Sequence, residues 1–203
     1  MVYLDDLLKS DDFNLAVSAI AKDFREKYKF PDIHQLGIVV PDVEAAAAEL
    51  EAKGIGPFFI ASSGLHLWRE RGKPKNYRGK AGIGYYRGFE LELLEPGNGS
   101  TFYKSCVDPD CKMVVQHLGF RVRDVDAHAK KLENDGHATW VRGKIKSFPL
   151  FTDFAYMDTR KKAGIILEFI DMRWFGLSIK MPAGIFHSLG RMEKIIGKRS
   201  LSF

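Results

Sequence analysis

The sequence predicts an α+β protein made of two copies of one βαβββ unit, with a helical extension at each end. Three observations predict it. A nine-residue phrase occurs twice: Gln35-Leu36-Gly37-Ile38-Val39-Val40-Pro41-Asp42-Val43 returns as His117-Leu118-Gly119-Phe120-Arg121-Val122-Arg123-Asp124-Val125. Each copy then runs into a helix-like stretch that stops at a glycine, Gly54 or Gly136. Short apolar runs follow each helix in the same order. A unit copied at this length marks two similar modules, so a feature in one can be checked against the other.

Residues 1–32 read as a helical lead-in. Leu4, Leu7 and Leu8, then Phe13, Val17, Ile20 and Phe24, fall at three- and four-residue spacing, and Pro31-Asp32 ends it. The first module spans 33–100. Ile33 to Val40 is apolar and β-branched, as a strand requires, and Pro41-Asp42 opens a helix over Val43 to Lys53. Phe58 to Ala61 is a second strand, and His66 to Trp68 continues as strand before the basic stretch Arg69 to Lys80. Gly82 to Tyr86 and Phe89 to Leu94 form a hairpin turning at Arg87-Gly88. Thr101 to Lys112 connects the modules. The second module, 113–171, repeats the order: strand Val115 to Val122, helix Asp126 to Asp135, strand Ala138 to Val141, then strands near Phe154 to Asp158 and Gly164 to Ile170. Residues 172–203 are extra to the repeat. There Phe186, Leu189, Met192 and Ile196 predict a basic amphipathic helix that packs on the core or on a second copy.

Composition excludes several classes. Of 203 residues, 45% are hydrophobic and 28% charged, an ordinary globular balance. No apolar run nears the roughly 20 residues of a membrane span, and Met1 to Ser10 is acidic without a signal-peptide core, so the expectation is a cytoplasmic protein with no membrane partner. Cys106 and Cys111 are then two reduced thiols, with a disulfide or a metal pair as the alternatives. The net charge of +5 is uneven. Arg69, Arg71, Lys73, Lys75, Arg78 and Lys80 face only Glu70, and beyond Met172 six further cations face only Glu193. Such segments can steer an anionic ligand, or can simply be solvated. No nucleic-acid motif surrounds them.

The chemistry lies where the copies correspond. The first strand of each begins with a potential ligand, Gln35 or His117. The last strand of each holds one acid in an apolar run: Glu92 in Leu91-Glu92-Leu93-Leu94, and Glu168 in Ile166-Leu167-Glu168-Phe169. A carboxylate so placed is costly to bury alone. Two of them, with an imidazole and an amide on partner strands, point to a shared divalent metal: Zn, Ni, Co, Mn or Fe.

The repeat, the strand–Asp–helix opening and the Glu-Leu-Leu-Glu-Pro close at Glu92 to Pro96 resemble the vicinal-oxygen-chelate superfamily. It includes glyoxalase I, methylmalonyl-CoA epimerase, extradiol dioxygenases and bleomycin- and fosfomycin-resistance proteins. The resemblance covers about Ile33 to Asp171. It implies a cupped mixed sheet, and a homodimer is expected. It also implies that the first ligand lies seven residues before the helix-opening aspartate. His117 and Gln35 satisfy that spacing; His34 does not. Adjacent side chains of a strand face opposite ways, so His34 is the alternative to Gln35 only if a bulge intervenes.

By resemblance, Gln35, Glu92, His117 and Glu168 hold the metal, and Glu168, with Glu92, serves catalysis by moving an α-proton through a metal-stabilised enolate. Glu90 is a second base candidate, otherwise a solvated rim residue. Arg121, four residues after His117 on the same face, would bind a substrate carboxylate, or else form an internal salt bridge to Glu92 or Glu168. Val39 and Pro96 stand where glutathione-using members carry arginine and asparagine. The expected function is a metal-dependent isomerase, epimerase or lyase acting on a small acidic or thioester substrate. The alternatives are an extradiol-type dioxygenase using His34, His117 and Glu168, and a non-catalytic, drug-sequestering binding protein.

Overall fold

The computed structural model describes residues 1–197 and 201–202. Strand β1 (Val2–Tyr3) leads into three short helices, α1 (Leu4–Leu8), α2 (Phe13–Ala19) and α3 (Lys22–Tyr28). The first copy of the repeat supplies β2 (Gln35–Val39), α4 (Val43–Ala52), β3 (Phe59–Gly64), β4 (Leu67–Glu70), β5 (Lys73–Pro74), β6 (Arg78–Tyr86) and β7 (Phe89–Leu94). The second supplies β8 (Val114–Arg121), α5 (Val125–Asn134), β9 (Thr139–Ser147), β10 (Leu150–Met157), α6 (Arg160–Ala163) and β11 (Ile166–Trp174). The C-terminal extension adds β12 (Leu177–Ser178), α7 (Ala183–Ile196) and β13 (Leu201–Ser202). Among the described residues no helix is long and apolar enough to cross a membrane.

The repeated aspartate caps a helix in both copies. Asp42 accepts from the Glu44 and Ala45 amides, and Asp124 from the Ala127 amide at 2.9 Å, satisfying donors that the first turn leaves unpaired. The repeated glycines after each helix, Gly54 and Gly136, sit at φ of 79° and 84°, the left-handed conformation that ends a helix without a Cβ penalty.

All thirteen strands join one curled mixed sheet, ordered β13-β3-β6-β7-β2-β8-β11-β10-β9-β4-β5, with β1 on β8 and β12 on β11. The two copies meet at its centre, where β2 runs antiparallel to β8. Each is flanked by the last strand of its own copy in parallel, β7 beside β2 and β11 beside β8. The site is therefore assembled within one chain. The curl follows from β3 and β4, which lie near opposite ends of the strand order although only residues 65–66 separate them. Three Cα steps reach at most about 11 Å, so the two rims of the sheet come together.

Strand alternation sorts the side chains. Leu36, Ile38, Leu91, Leu93, Leu118, Phe120, Leu167 and Phe169 face the helices, joining Val43, Ala47, Leu50, Leu132 and the lead-in residues Leu4, Phe13 and Val17 in the larger core. The concave side carries Val39, Leu94 and Ile166 with the aromatics Trp68, Tyr77, Phe102, Tyr103, Phe154 and Tyr156.

Four local expectations are corrected. The lead-in is helical but broken, with positive φ at Ala21 and Lys29 on either side of α3. The strands on either side reach into the basic stretch: β4 runs to Glu70 rather than Trp68 and pairs with β9 of the other copy, and β6 begins at Arg78 rather than Gly82. The strand expected to stop at Val141 runs to Ser147, because Lys144 and Lys146 alternate with Ile145 in the period-two pattern of a half-solvated strand. In α7, Phe186 is buried as expected, but Met192 and Ile196 are 54% and 64% exposed, and the buried face turns through Gly190 and Glu193 instead.

Candidate metal centre and cavity

Four adjacent strands, β7, β2, β8 and β11, bring Glu92, Gln35, His117 and Glu168 to the concave face. One ligand atom from each of Glu92, His117 and Glu168 lies within 4.8 Å of the others. His117 Nε2 is 3.3 Å from Glu168 Oε2 and 3.7 Å from Glu92 Oε2. Gln35 joins from the facing strand, where its Oε1 and Glu168 Oε2 both crowd the space above Gly119.

The repeated glycines make this possible. In the β2–β8 register Gln35 pairs with Gly119, and Gly37 pairs with His117. Glu92 is the neighbour of Gly37 on the other side, and Glu168 the neighbour of Gly119. Each glycine thus lies between two of the four groups. A Cβ on Gly37 would be 1.7 Å from the His117 ring, and one on Gly119 2.8 Å from Gln35. Any other residue at Gly37 would exclude the imidazole.

A one-residue irregularity in the β2–β8 ladder falls at Gln116, which lies between the residues paired with Gly37 and Ile38. Its Oε1 accepts from His117 Nδ1 at 2.7 Å, leaving Nε2 for the site. His117 is fully buried; burial pushes its imidazole down, but Glu168 and then Glu92 outweigh that and raise it to about 9. Burial pushes the Glu168 carboxyl up, against the pull of His117. A metal ion would therefore displace a proton held among these three groups. Among the described residues, Gln35 Oε1, Glu92 Oε2, His117 Nε2 and Glu168 Oε2 are all buried without a hydrogen-bond partner. Polar atoms are seldom left so, and this donor set fits a divalent cation.

His34 takes another direction. Its Nε2 is 3.7 Å from Glu90 Oε2, in a small pocket shared with Arg121 and Ile179. Burial, then Arg121 and Lys180, lower its imidazole to about 4. Arg121 also leaves the four-residue cluster, donating through Nη2 to the Ile179 carbonyl of the C-terminal extension. Glu90 is not a solvated rim residue: it is 5% exposed, accepts from Tyr85 and is raised to about 7 by burial.

A cavity of about 380 Å³ opens from the cluster, walled by both copies and by α7. Sequence reasoning missed Gln116 and the tyrosines. Tyr156 pairs with Glu168 across β10–β11 and packs edge-on to His117, ring centroids 4.8 Å apart. Its hydroxyl bonds that of Tyr103, from the connection between modules, at 2.9 Å. The doubled Leu-Gly is the one signal for the glycines; nothing local marks Gln116 or Tyr103.

The profile of the glyoxalase/bleomycin resistance protein/dioxygenase superfamily matches residues 34–150. Similar solved structures include methylmalonyl-CoA epimerase from Mycobacterium tuberculosis, 17% identical over 68% of this chain and 85% of that one, with a TM-score of 0.45. A variant of the Streptomyces coelicolor methylmalonyl-CoA epimerase in complex with 2-nitronate-propionyl-CoA is 17% identical over 70% and 96% of the two chains, at 0.47. A triple mutant of 4-hydroxymandelate synthase from Streptomyces coelicolor is 11% identical over 83% of this chain and 56% of that one, at 0.50. No curated protein matches.

Proposed function

Because the chain belongs to the glyoxalase/bleomycin resistance protein/dioxygenase superfamily, we propose that it is a metal-dependent isomerase, epimerase or lyase that moves an α-proton of a small oxygen-bearing substrate. One observation carries this reading: the four donor atoms of Gln35, Glu92, His117 and Glu168 are buried together and, among the described residues, have no hydrogen bond, with only the His117–carboxylate ion contacts between them. Each such atom costs about 1–3 kcal/mol when left unsatisfied, and a cation held by all four removes that cost at once. The oxygen and imidazole set suits Zn, Ni, Co, Mn or Fe. When bound, the ion would supply Lewis acidity towards a substrate oxygen.

The chain's own groups supply the rest. Glu168 and Glu92 are the proton carriers, since each lines the cavity and has a carboxylate oxygen in ion contact with the His117 imidazole. Gln116 fixes the His117 ring. The apolar walls limit water around the reacting carbon. Of the charge expected to favour an acidic or thioester substrate, Lys80 alone among the described residues reaches the cavity wall, and its amine is ion-paired with Glu44 at 2.8 Å.

Metal analysis of the purified protein tests the reading. The expected result is stoichiometric divalent metal, lost in a Glu92→Ala, Glu168→Ala double variant; a metal-free protein, or undiminished binding by that variant, would sink it. Hydrogen–deuterium exchange at the α-carbon across a panel of acyl thioesters and 2-hydroxy acids then tests the reaction. The large apolar cavity also suits a non-catalytic binding protein, which the same metal analysis separates. An extradiol-type dioxygenase has less support, since its second histidine, His34, faces Glu90 and Arg121.

A further inference from the structure

We propose that the cavity receives a long alkyl or aryl body carrying its oxygen-bearing head at one end, and that the C-terminal extension selects that body. The head's placement rests on the metal-dependent reading above; the body's does not. Charge is segregated in the cavity. The carboxylates Glu90, Glu92 and Glu168 lie on the central strands, and Lys80, already paired, is the one cation among the described lining residues. Elsewhere, apart from Thr152 and the hydroxyls of Tyr77, Tyr103 and Tyr156, the walls are apolar, with Ile83 and Leu94 from the first copy and Ile145 and Phe154 from the second. Among the described residues a phosphate, a nucleotide or a second carboxylate would find no unpaired lining cation, and a desolvated anion without one is strongly disfavoured. Arg121 is engaged by the Ile179 carbonyl, outside this cavity.

The remaining wall comes from outside the repeat. Met181, just before α7, and Phe186 and Leu189 within it line the cavity, and three contacts seat the helix. Gly190 lies so close to the Phe58 carbonyl that a Cβ would be 2.6 Å from it. The buried Glu193 accepts from the Ile60 amide of β3 at 2.9 Å. Lys194 meets Glu51 at 2.7 Å. Phe186 then stacks on Tyr85, centroids 6.1 Å apart. A helix anchored by a buried carboxylate on a strand amide has a fixed position, so the residues it presents inward define the shape of that wall.

Two probes separate body from head: N-phenyl-1-naphthylamine, a neutral aryl fluorophore, and hydroxamates, which offer two adjacent oxygens to a metal. The full-length, metal-loaded protein should bind the naphthylamine, and decanohydroxamate should displace it at concentrations at least tenfold below those needed with acetohydroxamate. Coenzyme A should not compete. Leu189→Asp, and independently Ala81→Trp on the β6 wall, should abolish naphthylamine binding and the chain-length preference while leaving metal content unchanged. Failure to bind the naphthylamine, equal potency of the two hydroxamates, competition by coenzyme A, or a preference unchanged in both variants overturns the proposal. If only the metal reading fails, the naphthylamine still binds and the two substitutions still abolish it.

Discussion

Strands β2 and β8 carry the same phrase and lie side by side at the centre of the sheet, yet they serve the site differently. Each contributes one ligand and one glycine, and each ligand occupies the space left by the other strand's glycine. The exchange is not even. His117 fills the space over Gly37 so closely that a methyl there would fall within its ring, whereas Gln35 stands farther from Gly119, its Cβ and Oε1 2.8 Å from where a methyl would lie, a clash but a lesser one. Duplication supplied the frame, and the larger ligand made one glycine indispensable. Beyond the glycines the copies part. Val39 packs into the concave aromatic cluster, while Arg121 turns away to the C-terminal extension.

The most direct way to break this comparison is to place the same methyl in both copies. Gly37→Ala has to expel the imidazole. We expect loss of metal binding together with a fall in stability of about 1–3 kcal/mol, the usual cost of overpacking a filled core. Gly119→Ala meets the Gln35 Cβ, held by the β2 backbone, and its Oε1, each at 2.8 Å, and one Glu168 oxygen at 3.2 Å, so it should weaken metal retention and lower the melting temperature, but by less than Gly37→Ala, whose methyl falls within the ring. Metal content and thermal denaturation, measured on both variants, check the asymmetry; equal effects would show that the copies are interchangeable.

Chelation should have the next largest effect. A cation held at a hundred times its dissociation constant stabilises the folded chain by about 2.7 kcal/mol, so EDTA should lower the melting temperature measurably. The shift should vanish in the Glu92→Ala, Glu168→Ala variant, which has no cation to lose. A chelator shift of the same size in that variant would place the stabilising ion elsewhere.

Most of the frame is legible in the amino-acid sequence, because it depends on local patterns. Asp42 and Asp124 cap, Gly54 and Gly136 terminate, and period-two alternation puts Glu92 and Glu168 opposite the apolar residues on either side of them. The four candidate ligands can be picked out because the copies can be superimposed, and the fold brings them to one face. Long-range choice of partner is not. The pattern around Trp68 says strand, but nothing in it says that β4 crosses to β9 and closes the cup. Likewise the stripe Phe186, Leu189, Met192, Ile196 says amphipathic helix, but the buried face is set by Gly190 and Glu193 meeting β3. Parity puts Arg121 on the correct face, yet its side chain is long enough to leave that face for the Ile179 carbonyl.

The smallest expected effect bears on the residue that precedes each ligand. Gln116 and His34 are equivalents in the repeat, and both are polar, but their partners differ. Gln116 Oε1 takes the Nδ1 proton of His117 at 2.7 Å, whereas His34 lies 3.7 Å from Glu90, outside the four-donor cluster. Partners that orient a ligating histidine are typically worth about 10–100-fold in metal affinity. Gln116→Leu should therefore weaken metal binding by roughly that factor, while His34→Leu leaves it unchanged. Competition titration against a metal-sensitive dye reads both. The outcome that would reverse the assignment is metal loss in His34→Leu with retention in Gln116→Leu, because it would make the imidazole beside Gln35, rather than the Gln35 amide, the donor from the first copy.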